Sequence, residues 1–251
     1  LILFALIIRG VSFEFRNKVN HLGWIKVWDT CIFIGSVAPA ILFGVAFANI
    51  FRGIPINGEG LFQGNLFTLL NPYGLLGGVL FLLLFVQHGA NWIIIRSEGN
   101  LQARAIDMSK KIWPILVAVA VIFLIASWFA TPLYKNYLAR PILWLVILGT
   151  VAALLCIRLF LYQENWFKTW FASAFTIVGA TFFGVIGLYP NLFPSSIDPA
   201  FSLSAHNASS SPLTLKIMLV VVILFVPIVL AYQIWTYWMF KDKVTQEDWM
   251  Y

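Results

Sequence analysis

Long apolar runs alternate with short polar breaks along the whole chain. Six of them, at about 30–51, 72–95, 112–134, 141–162, 170–189 and 214–240, hold scarcely a charge. An α-helix rises about 1.5 Å per residue, so about 20 residues cross a hydrocarbon core of about 30 Å. None of the runs follows the two-residue alternation of a barrel strand. The pattern predicts an all-α, polytopic membrane helix bundle with six full spans. A shorter run, Leu1 to Ile8, reads as the last two turns of a truncated span, and a charged loop, RGVSFEFRNK at 9–18, follows it. The first residue is leucine and no signal-peptide pattern precedes that loop, so the sequence is expected to begin inside a longer protein.

Composition agrees with the pattern. Charged residues make up 10% of the chain and hydrophobic ones 61%, against about 25% charged in an average soluble domain. So few polar groups cannot cover a water-facing surface, and the whole of 1–251 reads as a single transmembrane domain. The net charge of +6 fits basic membrane loops better than a nucleic-acid partner. Twelve basic residues (Arg9, Arg16, Lys18, Lys26, Arg96, Arg104, Lys110, Lys111, Arg158, Lys168, Lys241 and Lys243) fall on one side of the predicted bundle, against four (Arg52, Lys135, Arg140 and Lys216) on the other. The positive-inside rule then puts RGVSFEFRNK and the C-terminus in the cytoplasm.

Candidate chemistry is sparse. Cys31 and Cys156 sit in separate apolar runs and suggest neither a disulfide framework nor a metal site. Pro39, Pro114 and Pro227 fall inside predicted spans, where a kink is tolerated if neighbours satisfy the freed carbonyl. Tryptophans and tyrosines collect near span ends, as in an aromatic belt. His21 and His206 lie in loops, and only His88 lies within a span, beside Gln87 and Asn91 in FVQHGANW. Such a polar run hydrogen-bonds across helices or serves as a ligand set; interhelical bonding is the simpler reading. Arg9 and Glu14 allow two readings as well. They anchor a helix end by snorkelling, or they form the mouth of a proton path, since a carboxylate near a guanidinium can take up and release protons.

Five stretches, RGVSFEFRNK, WDTCIFIGSVAPAILFGVAFANIFRGIPI, FTLLNPYGLLGG, YPNLFPSS and the tail YWMFKDKVTQED, resemble in order and spacing the second subunit of cytochrome bd-type quinol oxidases. The resemblance runs from about residue 9 to the C-terminus. It implies a nine-helix subunit in the bacterial inner membrane, of which this sequence lacks the first two helices and most of the third. It further implies a complex that oxidises quinol and reduces dioxygen to water. Haems b558, b595 and d are held mainly by subunit I, this subunit's heterodimer partner, and small single-helix accessory subunits accompany some complexes. The second subunit supports the haem-bearing one, contributes to cytoplasmic proton uptake and, in some members, holds a structural quinone. Arg9 and Glu14 occupy the basic and acidic positions of the family's RPVGF(D/E)-like loop, although Gly-Val-Ser replaces its Pro-Val-Gly core here. Tyr251 resembles a family C-terminal tyrosine near the same entrance. The other function classes consistent with the residues are a secondary transporter or channel and a purely structural membrane subunit.

Overall fold

The computed structural model describes residues 1–243. Among these residues nine α-helices run in chain order: α1 (Ile2–Phe15), α2 (Leu22–Arg52), α3 (Leu66–Leu69), α4 (Pro72–Arg96), α5 (Gly99–Ala130), α6 (Tyr134–Ala139), α7 (Trp144–Tyr162), α8 (Trp166–Leu188) and α9 (Pro212–Met239). Among the described residues, six helices are long and apolar enough to cross a membrane: α2, α4, α5, α7 with the 3-10 turn that precedes it, α8 and α9. These coincide with the six predicted runs. Several are longer than their apolar stretch because polar residues extend them past it. Thus α5 begins at Gly99 rather than near 112 and carries Arg104, Lys110 and Lys111 on its first turns.

The first charged segment differs from the expectation. RGVSFEF is not a loop; α1 runs through it to Phe15. The chain turns only over residues 16–21, and His21 caps α2 by accepting a hydrogen bond from the Gly23 amide. Charge does not stop a helix when its side chains reach water, and no Pro or helix-breaking turn pair interrupts residues 9–15.

Packing in the bundle starts from glycine. A Cβ on Gly44 would run into the Gly77 carbonyl oxygen, and one on Gly77 would lie 2.6 Å from the Ala48 Cβ. The α2 and α4 backbones therefore touch, as small residues allow in lipid-embedded helices. On its other faces α4 packs against α5 and α8, and α7 lies against α8. Aromatic side chains then tie the end opposite residues 16–21. Tyr73 stacks on Phe123 with ring centroids 5.3 Å apart, and its hydroxyl meets Ser127 at 2.8 Å. The Tyr137 hydroxyl donates to the Phe183 carbonyl at 2.8 Å, and the Asn136 amide donates to the Ile186 carbonyl.

A small irregular sheet closes that end. Strand β1 (Asn191–Phe193) pairs antiparallel with β2 (Leu203–Ser204). The Ser195 hydroxyl donates to the Ile56 carbonyl at 2.7 Å, joining the 189–211 connection to the 53–71 connection. Asn49 and Asn71 bond to each other at 2.6 Å beneath it. Helix α9 stands apart. Among the described residues it buries none of its own; Tyr237 meets the bundle edge-on to Trp92, and just past the helix Lys243 pairs with Glu98.

Gly44→Leu should force α2 and α4 apart. The expected cost is about 1–3 kcal/mol, the range for overpacking a well-filled site. A lowered unfolding temperature of the purified protein in detergent checks it, with Gly89→Leu, at an open position, as the neutral control.

Candidate functional site

The candidate site is built on α1 and on the start of α2. Helix α1 is antiparallel to α2 and lies close on it, because a Cβ at Gly35 would come within 2.7 Å of the Ala5 carbonyl and 2.8 Å of the Arg9 Cβ. Ser12 is fully buried in this seam, and its hydroxyl donates back to the Ile8 carbonyl at 2.6 Å. Further along, the Trp24 indole donates to the Phe15 carbonyl at 2.8 Å, and Phe15 packs on Trp28. The last turn is fastened by charge. Arg16 grips Asp29 with two hydrogen bonds, Nε to Oδ1 at 2.6 Å and Nη2 to Oδ2 at 3.3 Å. That geometry is the planar fork that guanidinium and carboxylate share. The bond to Asp29, and then its charge, raise the Arg16 pKa further, so the guanidinium stays protonated.

The predicted pair, Arg9 and Glu14, is not brought together. Five residues along a helix turn about 140°, so the two side chains leave α1 on different faces. Arg9 extends along its own helix, with its guanidinium 5.9 Å from the Phe13 ring centre. It also lies six residues before the end of α1, about 9 Å deeper than a helix-end residue would. Glu14 is exposed one residue before the helix ends, and among the described residues it takes part in no ion pair. Tyr251 lies outside the described residues. Asp29 is the charged partner that the sequence reading passed over. Its signal was present: a lone acid entering a long apolar run needs a nearby cation, and Arg16 is the basic residue across the turn.

The polar run on α4 acts between helices. His88 Nδ1 lies 2.8 Å from the Ser173 hydroxyl on α8, and Gln87 and Asn91 bond to Ser109 on α5. At the opposite end, beneath β1, helices α2, α4, α5, α7 and α8 surround an apolar cavity of about 370 Å³. Phe47, Phe51, Leu84, Phe123, Leu154 and Phe183 are among its walls.

A family model, cytochrome bd terminal oxidase subunit II, matches residues 1–240. The chain belongs to that family. Cytochrome bd ubiquinol oxidase subunit 2 of Bacillus subtilis (strain 168) is 35% identical over 251 residues, covering 99% of this chain and 73% of the relative. Cytochrome bd-I ubiquinol oxidase subunit 2 of Escherichia coli (strain K12) is 32% identical over 282 residues, covering 99% and 74%. A probable cytochrome oxidase subunit 2 of Haemophilus influenzae is 34% identical over 269 residues, covering 94% and 71%. A cytochrome bd subunit II is a multi-pass membrane protein of a haem-containing bacterial respiratory oxidase, and it works in a complex with subunit I.

Among the described residues, no set of side chains fits a haem. The three histidines occupy separate places: the cap of α2, the middle of α4 and the 189–211 connection. The apolar cavity has no His, Met or Cys in its wall. The same wall does fit an isoprenoid chain. The Thr150, Thr176 and Thr181 hydroxyls along it donate to carbonyls of their own helices, which leaves mainly hydrocarbon facing the space.

The Arg16–Asp29 pair gives a direct prediction. Arg16→Asp should loosen α1 and lower the unfolding temperature slightly, in a salt-dependent way. The exchange Arg16→Asp with Asp29→Arg should recover most of the loss in the same thermal measurement.

Proposed function

We propose that this chain, as subunit II, admits protons to a complex that passes electrons from ubiquinol to dioxygen and forms water. In this reading haems b558, b595 and d lie mainly in subunit I and supply the electron transfer and oxygen chemistry. The chain stabilises that subunit as its heterodimer partner, and small single-helix accessory subunits can join them. Residues 1–251 form one transmembrane domain that corresponds to the family's helices from the end of the third onward. The end of the bundle bearing residues 16–21 and the C-terminus faces the cytoplasm of the bacterial inner membrane, supported by the twelve-to-four distribution of basic residues.

The observation that carries the proton role is the setting of Glu14. Its carboxylate is exposed to water at the basic end, on a helix fixed against α2 by the Gly35 contact and the Arg16–Asp29 pair. A fixed, hydrated carboxylate can take a proton from bulk water and pass it inward. Arg9 lies deeper on the same helix, on a different face from Glu14, and adds positive charge along the way inward from it. Tyr251 is assigned to the same entrance from the resemblance alone.

The apolar cavity beneath β1 is the place in this chain for a structural quinone. The supporting observation is its hydrocarbon wall, which suits the isoprenoid tail. A quinone held there is a structural element of the bundle, and α2, α4, α5, α7 and α8 exclude water from it.

In the assembled oxidase, Glu14→Gln should slow quinol-driven oxygen uptake by about tenfold or more, the scale of a lost proton-transfer group. The visible haem spectrum should be unchanged. Normal turnover in a fully haem-loaded Glu14→Gln complex would remove the proton assignment and leave α1 as an anchor. Separately, Leu84→Trp should fill the cavity. Chromatography of a solvent extract is then expected to show less quinone per complex, again with the haem spectrum intact.

A further inference from the structure

We propose that Gln87, Asn91 and Ser109 form an internal hydration site that holds ordered water between α4 and α5. Gln87 and Asn91 are one turn apart on α4, and Ser109 faces them from α5. All three are sealed: Gln87 and Asn91 are 1% exposed and Ser109 is 0% exposed.

Their mutual bonds leave two atoms over. Gln87 Nε2 donates to Ser109 Oγ at 2.6 Å, and Ser109 Oγ donates to Asn91 Oδ1 at 2.8 Å. A longer contact, 3.4 Å, joins Gln87 Nε2 to Asn91 Oδ1. Among the described residues, Gln87 Oε1 and Asn91 Nδ2 have no partner. One is an acceptor with free lone pairs, and the other a donor with free hydrogens. Buried amide groups are almost always paired, so each needs a ligand.

Turning the amides does not remove the problem. If both side chains are flipped, Asn91 Nδ2 donates to Ser109 Oγ and Ser109 donates to Gln87 Oε1. The atoms left over are then Gln87 Nε2 and Asn91 Oδ1, again one donor and one acceptor. In both arrangements in which the Ser109 hydroxyl donates within the set, one donor and one acceptor are left over. A single ligand that meets both must donate and accept at once, carry no charge and be small enough for a sealed seam. Water has those properties. A metal cation would find only one of the two atoms suitable, and an anion only the other. Burial excludes a lipid headgroup or a side chain of another subunit, since neither reaches atoms enclosed by this chain.

The site lies in the half of α4 nearer the basic end. Asn91 is five residues before Arg96, and Ser109 is followed on α5 by Lys110 and Lys111. The α4–α5 interface is therefore wet at one level, whereas α2 and α4 meet at Gly44 and Gly77 by direct backbone contact.

The test is a structure of the assembled oxidase at a resolution where other ordered waters are visible. Density for at least one water is expected within hydrogen-bond distance, about 2.7–3.2 Å, of the two leftover amide atoms. An empty site, or direct protein partners for both atoms, would overturn the proposal. The double variant Gln87→Met with Asn91→Leu removes both amides, and in it the density should vanish. Water persisting in that variant also overturns the assignment. Should the variant not assemble, the map of the unaltered complex decides the matter by itself.

Discussion

The close approach of α2 and α4 at Gly44, Gly77 and Gly78 is the contact on which the rest of the bundle depends. Lipid tails are as apolar as leucine, so burying leucine against another helix gains little in a membrane. What distinguishes helix from lipid is close fit, and glycine allows the closest. Once α2 and α4 are in backbone contact, the remaining faces of α4 receive α5 and α8, and α8 brings α7. The other side of α2 is left for α1, again through a glycine, Gly35.

This arrangement explains the division between the two ends of the molecule. At one end, hydroxyl and amide groups bond to backbone carbonyls of α8, as Tyr137 does to Phe183 and Asn136 to Ile186. Those bonds fasten the short helices and the small sheet over an apolar interior. At the other end charge takes over. Arg16 pairs with Asp29 across the turn at residues 16–21, and Lys243 with Glu98 joins segments far apart in the chain. The carboxylate proposed to collect protons sits at that charged end, held in place yet hydrated.

The spans were legible from the sequence because a membrane helix needs a long uncharged run, and nothing else in this chain looks like one. The helical state of RGVSFEF was not. Polar residues there weaken the apolar signal, but they do not weaken the helix, whose backbone bonds are indifferent to side-chain charge. The site was half legible. Glu14 and Arg9 could be picked out by type and position, whereas their separation on α1 follows from the helical turn that the loop reading hid. The Arg16–Asp29 pair depends on how tightly residues 16–21 reverse the chain. The glycine contacts depend on which faces meet, and a list of residues does not state that. Likewise FVQHGANW announced interhelical bonding, but only the geometry shows that His88 turns to α8 while Gln87 and Asn91 turn to α5.

Helix α9 carries a consequence of a different kind. It is long and apolar enough to cross the hydrocarbon, and its backbone bonds close within the helix except where Pro227 frees a carbonyl, yet among the described residues it has almost no tertiary neighbours. Insertion and packing are thus separable for this segment: hydropathy alone suffices to hold it in the bilayer, and its side chains are left for lipid or for another protein surface.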